Sequence, residues 1–119
     1  MQLTRNFHED EFKCRCGCGF TFIESSFITP LQNARDIADI PFVIKSGCRC
    51  KAHNKAVGGK EDSAHLRMAA DIRTATSAER FKIVQALLAV GFTRIGMHEG
   101  FVHVDNNRSK PSGVIWLYE

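Results

Sequence analysis

Two short segments constrain this chain more than any other feature of its sequence. Ser63-Ala64-His65-Leu66-Arg67-Met68-Ala69-Ala70-Asp71 and Phe101-Val102-His103-Val104-Asp105 each set a histidine and an aspartate into an otherwise apolar run. Both runs are too polar to be plain core. Imidazole nitrogen and carboxylate oxygen are the donors that leave a catalytic zinc an open position, whereas thiolates mostly close a structural one. His65, Asp71 and His103 with one water would make a four-coordinate hydrolytic site. Either histidine alone reads equally well as an ordinary polar residue near a strand end. The recurrence of the pattern points to metal.

The rest of the chain supplies one small scaffold. Asn6-Phe7-His8-Glu9 predicts a capping box opening a short helical turn, with Phe7 and Phe12 as core anchors. Cys14 to Gly19 predicts a loop. Ser25 or Ser26 caps a helix in which Ile28, Leu31, Ala34 and Ile37 or Ala38 recur at helical spacing. Pro30 is tolerated only in a first turn, so the regular helix is expected to start near Thr29. Phe42-Val43-Ile44 predicts a short buried strand, and residues 47–62 a Gly- and Lys-rich loop of functional character. Met68 to Arg73 predicts a strand. Thr76-Ser77-Ala78-Glu79 predicts a second capping box, with a helix to about Val90. Its expected core stripe is Phe81, Val84, Leu87 and Leu88, and Gly91 is its stop. Phe92 to His98 and Phe101 to Asp105 predict a hairpin around Glu99-Gly100. A polar loop follows, then a last strand, Val114 to Tyr118, whose Trp116 packs or lines a cleft. The expected fold is α+β, a small antiparallel sheet with two main helices packed on it. One domain spans residues 1–119, with no repeat, linker or low-complexity segment.

Composition excludes several classes. At 119 residues the chain is long enough for a real core, and 44% hydrophobic and 24% charged residues are ordinary for a globular domain. A net charge of +3 suits either a mildly basic soluble protein or one weakly drawn to an anionic polymer such as a bacterial wall. Lys and Arg are not clustered as a nucleic-acid binder requires. No apolar run reaches the roughly 18 residues that span a membrane. The N-terminal stretch lacks an apolar signal region, so the expected place of synthesis is the cytoplasm. A monomer is expected.

Five cysteines fall in two groups, Cys14-x-Cys16-x-Cys18 and Cys48-x-Cys50. The odd number leaves a thiol over in a monomer. A disulfide between the groups would close a loop of about 30 residues and add roughly 2–4 kcal/mol once oxidised. A structural zinc is a second reading, although C-x-C is tighter than the usual spacing. Small buried thiols are the third.

The motifs resemble those of the zinc D-alanyl-D-alanine carboxypeptidases and their phage endolysin relatives, which share a fold with the hedgehog signalling domain. That family reads Ser-x-His, a Gly, Ala-x-Asp, and later a strand ending in the third ligand, His. Ser63, His65, Ala69, Asp71 and His103 match. Upstream, Ser46-Gly47-Cys48-Arg49 matches a Ser-Gly-x-Arg, and His53-Asn54-Lys55-Ala56-Val57-Gly58-Gly59 a His-Asn-x-x-Val-Gly-Gly. The likeness runs from about Phe7 to Trp116. A Cys-x-Cys-Gly-Cys-Gly run after Glu-Phe also occurs in phage members. One departure stands out: five residues, Leu66 to Ala70, separate His65 from Asp71 where the family has six, and the Gly is missing. In a strand side chains alternate, so the turn after His65 has to absorb the loss for Asp71 to face the metal.

The resemblance implies a zinc peptidase that cuts peptide stems or cross-links of peptidoglycan. Arg49, otherwise a solvated surface residue, would take a substrate carboxylate bidentately, with Ser63 beside it. His53 reads as structural. A carboxylate must move a proton from water to the leaving amine. An unbroken strand places Glu99, Phe101, His103 and Asp105 on one face, which makes Asp105 the first choice and Glu99 the alternative. Relatives with Glu-x-x-His carry their base where this chain has Gly100. Asp105 could instead orient His103. Two other classes compete, a non-catalytic zinc-binding module of the same fold and a cysteine–zinc nucleic-acid module resting on Cys14 to Cys18. With no leader and a substrate outside the membrane, a phage-type lysis enzyme released by a membrane-permeabilising partner is the expectation. Its cysteines would then oxidise only after release.

Overall fold

The computed structural model describes residues 1–14, 23–47 and 68–118. Cys16, Cys18, Cys48, Arg49, Cys50, His53, Ser63 and His65 lie outside the described residues.

A short 3-10 turn, Glu9–Phe12, opens the chain. His8 caps it: Asp10 N donates to His8 Nδ1 at 3.1 Å, and His8 N donates to Glu11 Oε2 at 2.7 Å. The capping box therefore sits two residues beyond the expected Asn6–Glu9. Asn6 is taken by Gln32, donating its N–H to Oε1 at 2.9 Å and accepting from Nε2 at 2.8 Å. Phe7 and Phe12 are fully buried and pack edge to face at 5.7 Å. Cys14 is buried as well.

Helix α1, Ser25–Ala38, starts ahead of the position that Pro30 suggested. Pro30 has no N–H to give Ser26 O, which lies four residues back. That carbonyl accepts instead from Asn106 Nδ2 at 3.3 Å, so the helix runs through the proline. Phe27, Ile28, Leu31 and Ala34 form its buried stripe. Asp39, at φ 55°, ends it in the left-handed region, where aspartate is one of the few tolerated side chains.

Helix α2, Ser77–Ala89, is capped as expected, with Glu79 N donating to Thr76 Oγ1 at 3.1 Å. Glu79 Oε1 accepts from Ala75 N, one residue before the cap. At the other end Gly91 N donates to Leu88 O and Phe92 N to Leu87 O, with Gly91 at φ 100°. This is a Schellman stop. The stripe facing the core is Ile83, Ala86 and Leu87, while Phe81 is 64% exposed and Leu88 48%. Of the expected stripe, Leu87 is buried and Val84 packs against the core, whereas Phe81 and Leu88 turn outward and Ile83 and Ala86 take the buried positions beside Leu87.

The sheet contains β1 (Ile44–Ser46), β2 (Ala69–Arg73), β3 (Arg94–Met97), β4 (Phe101–Asp105) and β5 (Val114–Leu117), in spatial order β1-β2-β4-β3-β5. The first four are antiparallel neighbours; β5 runs parallel to β3. The sheet is thus mixed, because the loop from Asn106 to Gly113 carries the chain back to the start of β3. Strand β1 lies slightly downstream of Phe42–Ile44, although Val43 O still accepts from Arg73 N at 2.8 Å. Ala70, Ile72, Ile95, Val102 and Val104 join the helices in one core. Alternation turns Asp71, Arg94, Gly96, His103, Asp105 and Trp116 to the opposite face. Among the described residues no helix is long and apolar enough to cross a membrane.

Candidate metal centre

The polar face of the sheet is organised by strand register. A two-residue turn at Glu99-Gly100 closes the β3–β4 hairpin, with His98 N donating to Phe101 O at 3.1 Å. Counting outward pairs Gly96 with His103 and Arg94 with Asp105. On the other side of β4, Asp71 of β2 pairs with the same His103.

His103 is 4% exposed and lies between two carboxylates. Its Nδ1 is 2.9 Å from Asp71 Oδ1, and its Nε2 is 2.7 Å from Asp105 Oδ2. An ionised carboxylate only accepts hydrogen bonds, so without a metal both contacts call for a proton on the ring nitrogen. Burial alone would push the imidazole pKa down. The hydrogen bonds to Asp105 and Asp71, and the charge on each, more than offset that and raise it. Asp105 is 2% exposed. Its Oδ1 accepts from Arg94 Nε at 2.7 Å and from Asn107 N at 3.0 Å. Burial would push Asp105 up; its hydrogen bonds with His103, Asn107 and Arg94 hold it below the usual carboxylate range.

An aromatic wall stands beside this row. Trp116 lies 5.4 Å from the His103 ring, and Arg94 sits 5.0 Å over the indole. Gly96 makes the arrangement possible, since a Cβ there would come within 2.6 Å of Tyr118 and 2.7 Å of Trp116. Phe101 stacks on His98 at 4.4 Å, and Tyr118 bridges both to His103.

The donor set suits zinc. Nitrogen and oxygen ligands about 2.0–2.2 Å from a tetrahedral zinc lie roughly 3.3 Å apart. Asp71 Oδ1 and His103 Nδ1 face each other at 2.9 Å, so a small opening would admit the ion between them. Asp105 behind Nε2 completes the carboxylate–histidine arrangement usual around such metals. Among the described residues no three His, Cys, Asp or Glu side chains are gathered for a metal. The third expected ligand, His65, lies outside them, as do Arg49 and Ser63.

Asp71, His103 and Asp105 are brought together as the sequence suggested. Glu99 is not part of the row: β4 begins at Phe101, and Glu99 is an exposed turn residue whose carbonyl accepts from Arg80 at 2.8 Å. The alternation that would align it with His103 stops short of it. Sequence reasoning missed Arg94, although counting outward from Glu99-Gly100 places it opposite Asp105. Asn107 left no such signal, because its contact runs through the backbone.

The peptidase M15 family model matches residues 5–105. No curated protein matches the chain. The match spans both histidine–aspartate segments and most of the chain, and it agrees with two helices on a five-stranded mixed sheet. The chain belongs to the peptidase M15 family, the zinc D-alanyl-D-alanine carboxypeptidase-like peptidases.

Proposed function

We propose that this chain is a zinc peptidase that hydrolyses peptide stems or cross-links of bacterial peptidoglycan, in the manner of a phage lysis enzyme. The observation that carries the reading is the contact of Asp71 Oδ1 with His103 Nδ1, inside a chain of the M15 family. His65, Asp71 and His103 would hold the ion, with Arg49 and Ser63 beside the substrate. When bound, zinc supplies Lewis acidity that polarises a peptide carbonyl and makes water more acidic.

The chain's own residues have separable parts. Asp71 and His103 offer one oxygen and one nitrogen from adjacent strands, so the sheet presets their spacing. Asp105, engaged by His103, Arg94 and Asn107, orients His103 and does not move the proton. Of the two carboxylates weighed for that task, Glu99 is the one open to solvent. Arg49 would grip a substrate carboxylate with its planar fork. The wall of Trp116 and Tyr118 excludes water from one side of His103.

The test combines metal analysis of the purified chain, turbidity loss with outer-membrane-permeabilised bacteria, and product analysis on purified peptidoglycan. New amino termini or released D-alanine are expected. Stoichiometric zinc without any product would favour a non-catalytic module of the same fold.

A further inference from the structure

Among the described residues, Arg94 is a half-buried cation to which the roles above assign no part. The Arg94 side chain is only 13% exposed and is held at three points. Its Nε donates to Asp105 Oδ1 at 2.7 Å, an outer nitrogen donates to Pro111 O, and the guanidinium plane lies over Trp116. These contacts tie the hairpin, the 106–113 loop and β5 to one carboxylate. Asp105 in turn aims its second oxygen at His103 Nε2.

We propose that Arg94 is a positioning residue for the metal centre: by pinning Asp105 it makes His103 keep its hydrogen on Nε2 when Nδ1 gives up its own to take the ion beside Asp71. The inference rests on the reading of His103 as a zinc ligand. Which nitrogen of a histidine is left to bind a metal is set by the hydrogen bond the other nitrogen makes. Two carboxylates compete for His103, one at each nitrogen, and a neutral ring has one N–H to give. Asp71 is held on a strand but must remain able to part from Nδ1 for an ion to enter. Asp105 is immobilised on Oδ1 by Arg94 and Asn107, so the Nε2 hydrogen bond has a fixed acceptor. Lysine could keep the charge at this position, but it cannot form the flat contact with Trp116 together with both hydrogen bonds.

The experiment uses the full chain, nitrogen-labelled, as wild type, Arg94→Gln and Arg94→Lys, with and without zinc. Three quantities are read: the His103 Nε2–H resonance and its exchange with solvent, zinc affinity by chelator competition, and kcat and KM separately. The wild type is expected to show a slowly exchanging Nε2–H in both states. Arg94→Gln should lose that protection, bind zinc about tenfold more weakly, and lose kcat with KM unchanged. Arg94→Lys should fall between the two. Retained protection, with zinc affinity within about twofold of wild type, in Arg94→Gln overturns the proposal. If Arg94→Gln does not fold, Arg94→Lys decides. Intermediate values uphold the role, and wild-type values in both readouts overturn it. The zinc-free measurement keeps the test separate from the zinc reading, which fails only if the wild type binds no zinc through His103.

Discussion

Asp71 faces His103 across two antiparallel strands, with Oδ1 2.9 Å from Nδ1, even though five residues and not six separate Asp71 from His65. The register between β2 and β4 is continuous from Ala69 to Arg73, so the short spacing does not disturb the strand that presents Asp71. The first prediction follows. One zinc should be retained per chain, and replacing His65, Asp71 or His103 by Ala should abolish retention and activity. Elemental analysis after dialysis checks it. Stoichiometric zinc in both histidine variants would shift the assignment to the cysteines.

Asp105 and Glu99 should separate cleanly. Asp105→Asn breaks a buried pair with Arg94 and His103, and loss of one partner of such a pair costs about 3–5 kcal/mol. A large fall in Tm is expected. Glu99→Gln changes an exposed turn residue, so stability should move by less than about 0.5 kcal/mol while kcat falls if Glu99 carries the proton. An unchanged kcat in Glu99→Gln removes it from the mechanism.

Gly96→Ala tests the aromatic wall. The added methyl would meet Tyr118 and Trp116 at 2.6 and 2.7 Å, so one or both rings must move. Overpacking of this kind costs about 1–3 kcal/mol. Trp116 is the only tryptophan in the chain, so its emission should shift with the ring's displacement. Wild-type emission and stability together would show that the strand gives way instead.

Arg49→Lys should weaken turnover and leave zinc content and Tm unchanged, because lysine keeps the charge and loses the two-pronged grip on a carboxylate. Steady-state kinetics on a stem peptide with a free carboxylate measures it, and wild-type values would make Arg49 a surface residue.

The zinc-free protein should have a distinctive pH profile. The pKa of His103 is raised above the ordinary 6.5, so its ion pairs contribute fully below about that pH and are lost as pH rises through the raised value. The pKa of Asp105 is lowered from 3.8, so its contribution is present above that pH and lost as pH falls through the lowered value. Thermal melts of the zinc-free chain should therefore be highest in the mildly acidic range and decline on the alkaline side. A His103→Gln variant should lack the alkaline decline.

Much of the scaffold was legible because its signals are local. The Thr76 cap, the Gly91 stop and the Glu99-Gly100 turn depend on hydrogen bonds within a few residues, and each formed where the sequence placed it. The expected Ser25 or Ser26 cap did not form, since Glu24 holds the cap position without a side-chain bond; two other misplaced features are ones that distant contacts decide. Asn6 did not cap its turn because Gln32 holds it, and Pro30 did not delay α1 because Asn106 takes the carbonyl it frees. Apolar residues recur at helical spacing on more than one side of α2, so only its packing shows which are buried.

For the site, the sequence by itself determined the donor types and the hairpin that carries His103 and Asp105, since alternation in a strand is a property of the backbone. Only the tertiary structure decided that β2 lies against β4 in the register that sets Asp71 beside Nδ1. It alone showed β5 parallel to β3 and brought Trp116 over Gly96. It also made Asp105 a buried, fully engaged acceptor. Pairing between separate strands is chosen by how the whole core closes, and no run of neighbouring residues encodes that choice.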